Sequence, residues 1–290
     1  MTHDLREAPY LDEEDILTLN FIRASGVYVY RRHYRTGLRS HIMEVLRAEG
    51  VENETTGLMI NEVRSYPRAE PVKMLRIFRT RFQTIKDAME ELRRVKIIQS
   101  YLSPDHIARS EEFLVDYIRN GNRDVLLCGL QDYVDGEILK PWDQLARVNL
   151  LSLFSDMGLD RKQDAILDPE RWIDGVREKA DSFVMRLKQM ILKAGYVPDL
   201  AGVGNLILTP SGHIKLVDIN NISRVLFHGP IPLDDRNYPV CDKSIRVMWL
   251  IEQKLAAKSP READPIYGPF LNPKRLKAVK ALEEAFQGSI

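Results

Sequence analysis

The chain has 290 residues, and its 42 Lys and Arg balance its 42 Asp and Glu. That length suits one large domain or two packed lobes, and the even charge predicts neither a nucleic-acid nor a membrane-surface partner. The apolar stretch 148–154 is far too short to span a bilayer, and residues 1–8 lack the apolar core of a signal peptide, so the expected location is cytoplasmic. Cys128 and Cys241 stand alone, without a CxxC or Cys/His cluster, which argues against a disulfide framework or a structural zinc.

Taken in chain order, residues 11–19 can make a turn or two of helix, and residues 26–32 are β-branched and aromatic like a strand. Residues 38–47 carry apolar side chains at helical spacing and stop before Gly50. Residues 56–65 and 71–78 are strand candidates; in the latter Lys73 shares a face with Leu75 and Ile77. A long helical pattern covers 81–102, its stripe formed by Ile85, Ala88, Met89, Leu92, Val95 and Leu102. Glu91 lies beside that stripe and Glu90 faces water, so Lys73 and Glu91 could form an inward ion pair. Arg76, Arg79, Arg81 and later Arg93-Arg94 could bind phosphate or nucleic acid, but arginines alternating with Glu on a helix ordinarily form a solvated face, and the run is read so.

Strands are expected over 107–117 and 124–129, joined by a turn at 119–122, and a further strand from Leu130 ends at the Asp135-Gly136 turn. Beyond it the pattern turns helical over 142–157, 168–194, 242–258 and 272–287. Several of these helices open with a cap followed by Pro, and Gly158 and Gly195 are placed as C-terminal caps. Trp142, Trp172 and Trp249 fall on helix stripes and read as core. The composition thus predicts an α+β protein, strand-rich first and helix-rich second, with the boundary near 130–140.

Inserted between helices, residues 196–221 read as a loop, a short apolar strand at 206–208, a Pro-Ser-Gly turn and a second strand at 213–217. A hairpin returns the chain to its starting edge, which places Asp199, Asn205 and Asp218 near one end. Hard oxygen donors gathered in that way suit a divalent cation. His3, His33, His41, His106, His213 and His228 show no zinc spacing, and no Gly-x-Ser-x-Gly or Cys/His nucleophile pattern is present.

The order of these features resembles the protein kinase-like fold shared by aminoglycoside phosphotransferases and other small-molecule kinases. Val72-Lys73-Met74 resembles the strand carrying the nucleotide lysine, and Glu91 its helical partner. Ser103-Pro104-Asp105-His106-Ile107 is similar to the entry into the next strand, and Gln131-Asp132-Tyr133-Val134-Asp135-Gly136 to the linker between lobes. Tyr196-Val197-Pro198-Asp199 with Asn205 resembles a catalytic loop, and Val217-Asp218-Ile219-Asn220 the metal-binding Asp-Phe-Gly.

The resemblance covers residues 57–258 and implies a two-lobed fold, with an N-terminal lobe over 1–133, in which 1–56 is poorly assigned, and a helical C-terminal lobe over 134–290. It implies ATP and Mg2+ as cofactors, Asp199 as base, Asn205 and Asp218 as metal ligands, and Lys73 steered by Glu91 onto the phosphates. The backbone of Asp132 to Val134 would hold adenine, with Asp135 or Glu137 near the ribose. The acceptor would be a protein or a small molecule.

Departures from the pattern are specific. Asn205 stands six positions after Asp199, one more than in kinases, an insertion that Gly202 and Gly204 could absorb. Ala201 replaces the usual cationic helper, Asp-Ile-Asn replaces Asp-Phe-Gly, and no Gly-x-Gly-x-x-Gly precedes Lys73. These leave, beside an active phosphotransferase, the alternative of a pseudokinase-type protein that binds nucleotide or a partner without transferring phosphate.

Overall fold

The computed structural model describes residues 4–22, 26–35, 37, 39–119, 122–160, 167–258 and 264–287; His3, Leu38 and the turn at Asn120 and Gly121 lie outside the described residues. The protein is α+β, and the pairings between its strands are antiparallel. It divides into two compact units, Met1–Arg93 with Arg109–Tyr133, and Arg94–Ala108 with Val134–Ile290. The segment Arg94–Ala108, which the sequence places with the first 133 residues, clusters with the second unit.

The first unit runs α1 (Glu13–Leu17), β1 (Tyr28–Arg32), β2 (Ser40–Arg47), α2 (Ala48–Thr56), β3 (Leu58–Ile60), β4 (Val63–Ser65) and β5 (Pro71–Phe78). It continues into α3 (Ile85–Leu102), whose residues from Arg94 onward cluster with the second unit, and into β6 (Ser110–Arg119) and β7 (Asn122–Asp132). One sheet takes the order β1-β2-β5-β7-β6.

The helix expected over 38–47 is instead strand β2, bonded on one side to β1 and on the other to β5. An interior strand covered on both faces loses the polar alternation that marks a strand, which is why its apolar spacing mimics a helix. The single strand expected over 56–65 is the hairpin β3–β4, reversed at Asn61 and Glu62 with φ of 48° and 65°. Both central residues are then left-handed, as a tight hairpin turn requires. Helix α3 starts later than Arg81, because Thr84 caps it: Asp87 N donates to Thr84 Oγ1 at 3.3 Å and Thr84 N to Asp87 Oδ2 at 2.9 Å. Ile85 and Met89, expected in its stripe, are exposed, whereas Ala88, Val95, Ile98 and Leu102 are buried.

One face of the sheet is covered by the N-terminal segment. Leu5, Leu11, Ile16 and Leu19 pack with Met43, Val45, Leu75, Ile77, Val115 and Cys128, each such side chain contributing about 1.5–3 kcal/mol of burial. A charged cluster fastens the segment. Arg6, 3 % exposed, binds Asp4 and Asp124, and Arg81 reaches Asp4 at 2.8 Å. Burial pushes the Asp4 carboxyl up, but the hydrogen bonds and charge of Arg6, with Arg81, outweigh it and hold the group below the usual range.

The second unit contains β8 (Glu137–Ile138), α4 (Arg147–Asp156), α5 (Pro169–Ala194), β9 (Tyr196–Pro198), β10 (Leu206–Leu208), β11 (Ile214–Leu216) and β12 (Ile222–Arg224). It ends with α6 (Val240–Leu250), continued by a π-helical turn Ile251–Leu255, then α7 (Tyr267–Phe270) and α8 (Pro273–Gln287). Its spine is α5. Asp168 accepts from Glu170 N, Pro169 opens the first turn, and Gly195 closes the helix at φ 75°. The buried stripe of Trp172, Val176, Phe183, Leu187 and Met190 recurs at helical spacing. Trp142 lies in a turn before α4 and is half-buried, not on a helix stripe. Cys128 and Cys241 are both buried free thiols whose pKa values burial pushes up to about 12. No helix among the described residues is long and apolar enough to cross a membrane.

Two buried histidines make stability depend on pH. His41, 5 % exposed, donates Nε2–H to Leu5 O at 2.7 Å, and His106, 1 % exposed, places Nδ1 3.3 Å from Ile214 O and Nε2 3.2 Å from Ser182 Oγ. Burial, foremost, lowers both pKa values to about 4. Above the ordinary histidine pKa both states are neutral and nothing changes. Below it the unfolded chain takes up protons that the folded chain refuses until about pH 4, so each histidine removes about 1.4 kcal/mol per pH unit and about 3 kcal/mol in all. Urea unfolding between neutral pH and about pH 4.5 should show this loss. His41→Gln, which keeps a donor for Leu5 O, should remove about half of it, His106 keeping its share; an unchanged pH dependence would overturn the role given to His41.

Candidate functional site

The expected site residues fall in both units. Lys73, Glu91 and Asp132 belong to the first, and Val134, Asp135, Asp199, Asn205 and Asp218 to the second.

In the second unit the hairpin sets the geometry. Strand β10 pairs with β11 with Leu206 opposite Leu216, and Val217 N extends the ladder to Asn205 O at 2.9 Å. Asp218 therefore follows directly on the residue facing Asn205. The other edge of β10 is taken by β8, with Ile207 opposite Ile138 and Leu208 opposite Glu137. That pairing requires Gly136: at φ 145° its Cβ would stand 2.3 Å from Leu208 O. The Asp135-Gly136-Glu137 segment is thus held on the same short strand that carries Asn205 at its start.

The 199–205 loop is closed by its own polar groups. Asp199 N donates to Asn221 O at 2.9 Å, prolonging the β9–β12 pairing. Its Oδ1 accepts from Ala201 N at 2.9 Å and Gly202 N at 3.1 Å, a side-chain turn typical of Asp. Leu200, fully buried, donates its N–H to Ser244 Oγ on α6 at 3.0 Å. Asn205, 7 % exposed, donates Nδ2–H to Asp199 O at 2.8 Å. Two glycines shape the loop. Gly204 takes φ 86°, and Gly202 lies so close to the Asn205 amide that a Cβ would come within 2.5 Å of Nδ2. Asp218 Oδ1 accepts from Asn220 N at 3.1 Å, while Ile219 is buried in the core. Asn221 turns instead to Asp234, at 3.3 Å.

Anchoring Asn205 through its nitrogen fixes the amide and leaves its oxygen as the group available for a ligand. An amide oxygen and the Asp218 carboxylate on one hairpin end are hard donors of the kind magnesium takes when phosphates and water complete its shell. They do not make an all-protein cage: among the described residues no group of three or more His, Cys, Asp or Glu side chains could hold a metal.

In the first unit the ion pair that the structure gives Lys73 is with Asp132, directly opposite on β7, where the sequence predicts Glu91. A cross-strand neighbour is nearer than a helix reached through a loop. The two side chains are 42 % and 40 % exposed, so the pair is worth at most about 1 kcal/mol. The N–H groups of Asp132 and Tyr133, expected to face adenine, donate to Arg109 O at 2.8 Å and Val72 O at 3.4 Å. Glu90 binds Arg93 at 2.7 Å and is, like Glu91, half-buried.

The structure also brings forward residues that the sequence hid. Arg76 is not solvated but 6 % exposed, on the β5 face opposite Lys73; its alternation with Met74 and Phe78 was the available signal. Lys243, 7 % exposed on α6, binds Glu283 at 2.6 Å and stands 4.2 Å from the Trp142 ring, whose Nε1 donates to Ala201 O at 3.4 Å. A buried cation thus reaches, through an aromatic ring, the Ala201 carbonyl of the 199–205 loop. Tyr238 donates to Glu283 at 3.2 Å and stays protonated, its pKa raised by burial first, then by Glu283, Asp199 and Asp234.

Gly202→Ala should destabilise the protein by about 1–3 kcal/mol, since a methyl group must displace the Asn205 amide. Val203→Ala, at an 82 % exposed neighbour, should stay within about 0.5 kcal/mol. Urea unfolding of both reads the difference, and equal stabilities would mean that the loop does not depend on this approach. No protein-family model matches the chain, and no curated protein matches it.

Proposed function

We propose that the chain is an ATP- and magnesium-dependent phosphotransferase of protein kinase-like fold, acting on the hydroxyl group of a protein or small-molecule acceptor. The observation that carries this reading is the 199–205 loop, which fixes a carboxylate and an anchored amide at one end of the hairpin that leads into Asp218. Asp199 would orient the acceptor hydroxyl and take its proton as the oxygen attacks the terminal phosphorus and ADP leaves. Asn205 and Asp218 would hold magnesium, which when bound neutralises charge on the phosphates. Lys73, released from Asp132, would bind the α- and β-phosphates, and Asp135 lies in the segment assigned to the ribose.

A second reading, a nucleotide- or partner-binding regulator without transfer, is favoured by one observation. Asp199 Oδ1 already accepts two backbone hydrogen bonds, from Ala201 and Gly202.

Thermal unfolding with ATP and Mg2+ separates the readings. Binding to the native state alone should raise Tm by several degrees under both, since a ligand at about a hundredfold its Kd adds about 2.7 kcal/mol, and Asp218→Ala should abolish the magnesium-dependent part. Phosphate transfer or ATP hydrolysis that falls by about a hundredfold or more in Asp199→Ala supports the enzyme. A Tm shift without any turnover supports the regulator, and no shift at millimolar nucleotide overturns both.

A further inference from the structure

The second unit holds a chain of contacts that the proposed reaction does not use, and it begins on α8. Only Val279 of that helix is buried, so its seat depends on a few side chains. Arg275 pairs with Asp242 at 3.1 Å, and Phe286 packs on the Tyr238 ring at 5.0 Å. Between them in the chain, Glu283 Oε1 accepts from Lys243 Nζ at 2.6 Å and from Tyr238 OH at 3.2 Å. Its neighbour Glu284 instead pairs with the exposed Lys280 at 3.6 Å.

Lys243 carries the contact inward. It is 7 % exposed, and an ammonium buried in that way needs partners that replace its lost water. Glu283 supplies one, and the face of the Trp142 ring, 4.2 Å away, another. The ring so held donates Nε1–H to Ala201 O at 3.4 Å, while Ala201 N donates to Asp199 Oδ1 at 2.9 Å. One residue of the loop therefore has Trp142 on its carbonyl and the Asp199 carboxylate on its amide. The next position of α6 grips the loop one residue earlier, Ser244 Oγ accepting from Leu200 N at 3.0 Å. Tyr238, the other arm from Glu283, has its hydroxyl pKa raised by burial first, then by Glu283 and by the charge of Asp199, so it too ends near that carboxylate.

We infer that Glu283 is a positioning residue for the 199–205 loop: by holding Lys243 against Trp142 it fixes Ala201 and, with it, the turn that orients the Asp199 carboxylate. A charge-assisted hydrogen bond is directional and roughly twice as strong as a neutral one, so the ammonium is set over the ring rather than left to sample positions around it. Without the glutamate, Lys243 is buried and unpaired; its side chain turns toward water, and the ring loses its support on one side. The seat of α8 and the order of the loop are then one property, and whatever displaces α8 loosens the loop. That Asp199 acts as a base rests on the proposed function; the mechanical link from α8 to the loop does not.

Hydrogen exchange of the full chain, read by mass spectrometry on peptides covering 199–205 and α5, tests the link. Glu283→Gln and Trp142→Phe, the latter keeping a ring beside Lys243 and removing the bond to Ala201, should each speed exchange in 199–205 by about tenfold or more and leave α5 as in wild type. Because both act on one path, the double variant should exchange no faster than the faster single one. Glu284→Gln should match wild type. Unchanged exchange of the loop in either single variant, additive effects in the double one, or a loss of protection spread equally over α5 would overturn the assignment. ATP turnover is measured on the same proteins, and its absence in wild type sinks the phosphotransferase reading alone, because the exchange result stands without it.

Discussion

The close passage of Gly136 over β10 is the contact on which the second unit's site depends. A strand of three residues, all buried, has little pairing of its own; β10 is fixed because β11 bonds one edge and β8 the other. Any side chain at Gly136 would strike Leu208 O, so the β8 edge would part and the segment around Asp135 would leave the strand. Asn205 sits at the start of β10 and Asp218 just beyond the end of β11. Their relation is therefore set by the ladder rather than by loop conformation, and rigid strands place donors more reproducibly than loops do.

The first unit solves a different problem. Its five-stranded sheet has an apolar face, and the N-terminal segment covers it with only one short helix. Such a cover binds few residues per turn and would fray, but the buried Arg6–Asp4 pair, with Asp124 and Arg81 at its exposed rim, holds it. Removing one partner of such a cluster is far more costly than the cluster's net worth, because the remaining charge stays buried.

The sequence made the regular parts legible where one local signal dominated. Helix α5 announced itself through Asp168, Pro169, Gly195 and its stripe, and β5 and the β10–β11 hairpin through bounded apolar runs. It misled where tertiary burial overrode the local pattern. Strand β2 is buried on both faces and so looked helical, and Arg76 looked solvated because its charge outweighed its alternation with the apolar Met74 and Phe78. The role of the 1–20 segment, though not its short helix, was unreadable for the same reason: its leucines and isoleucine are meaningful only against the sheet they cover. Among the candidate residues, Asn205 and Asp218 were placed together by hairpin logic that sequence can carry. The partner of Lys73 was not, because strand register decides it, and register is a property of the paired sheet.

If the proposed function holds, two existing contacts set what its phosphate chemistry would have to exchange. The Lys73–Asp132 pair is half-exposed, worth at most about 1 kcal/mol, and a phosphate dianion offers the ammonium a stronger partner than a solvated carboxylate. Lys73 is thus held ready at small cost. Asp199 is different: its bonds to Ala201 and Gly202 shape the loop that also anchors Asn205. A substrate that pulled the carboxylate out of that turn would disturb the amide at the same time. On the proposed reading, an acceptor hydroxyl would then have to approach a carboxylate that keeps its turn, so the loop would favour a substrate shaped to reach it over a loop that moves to reach the substrate.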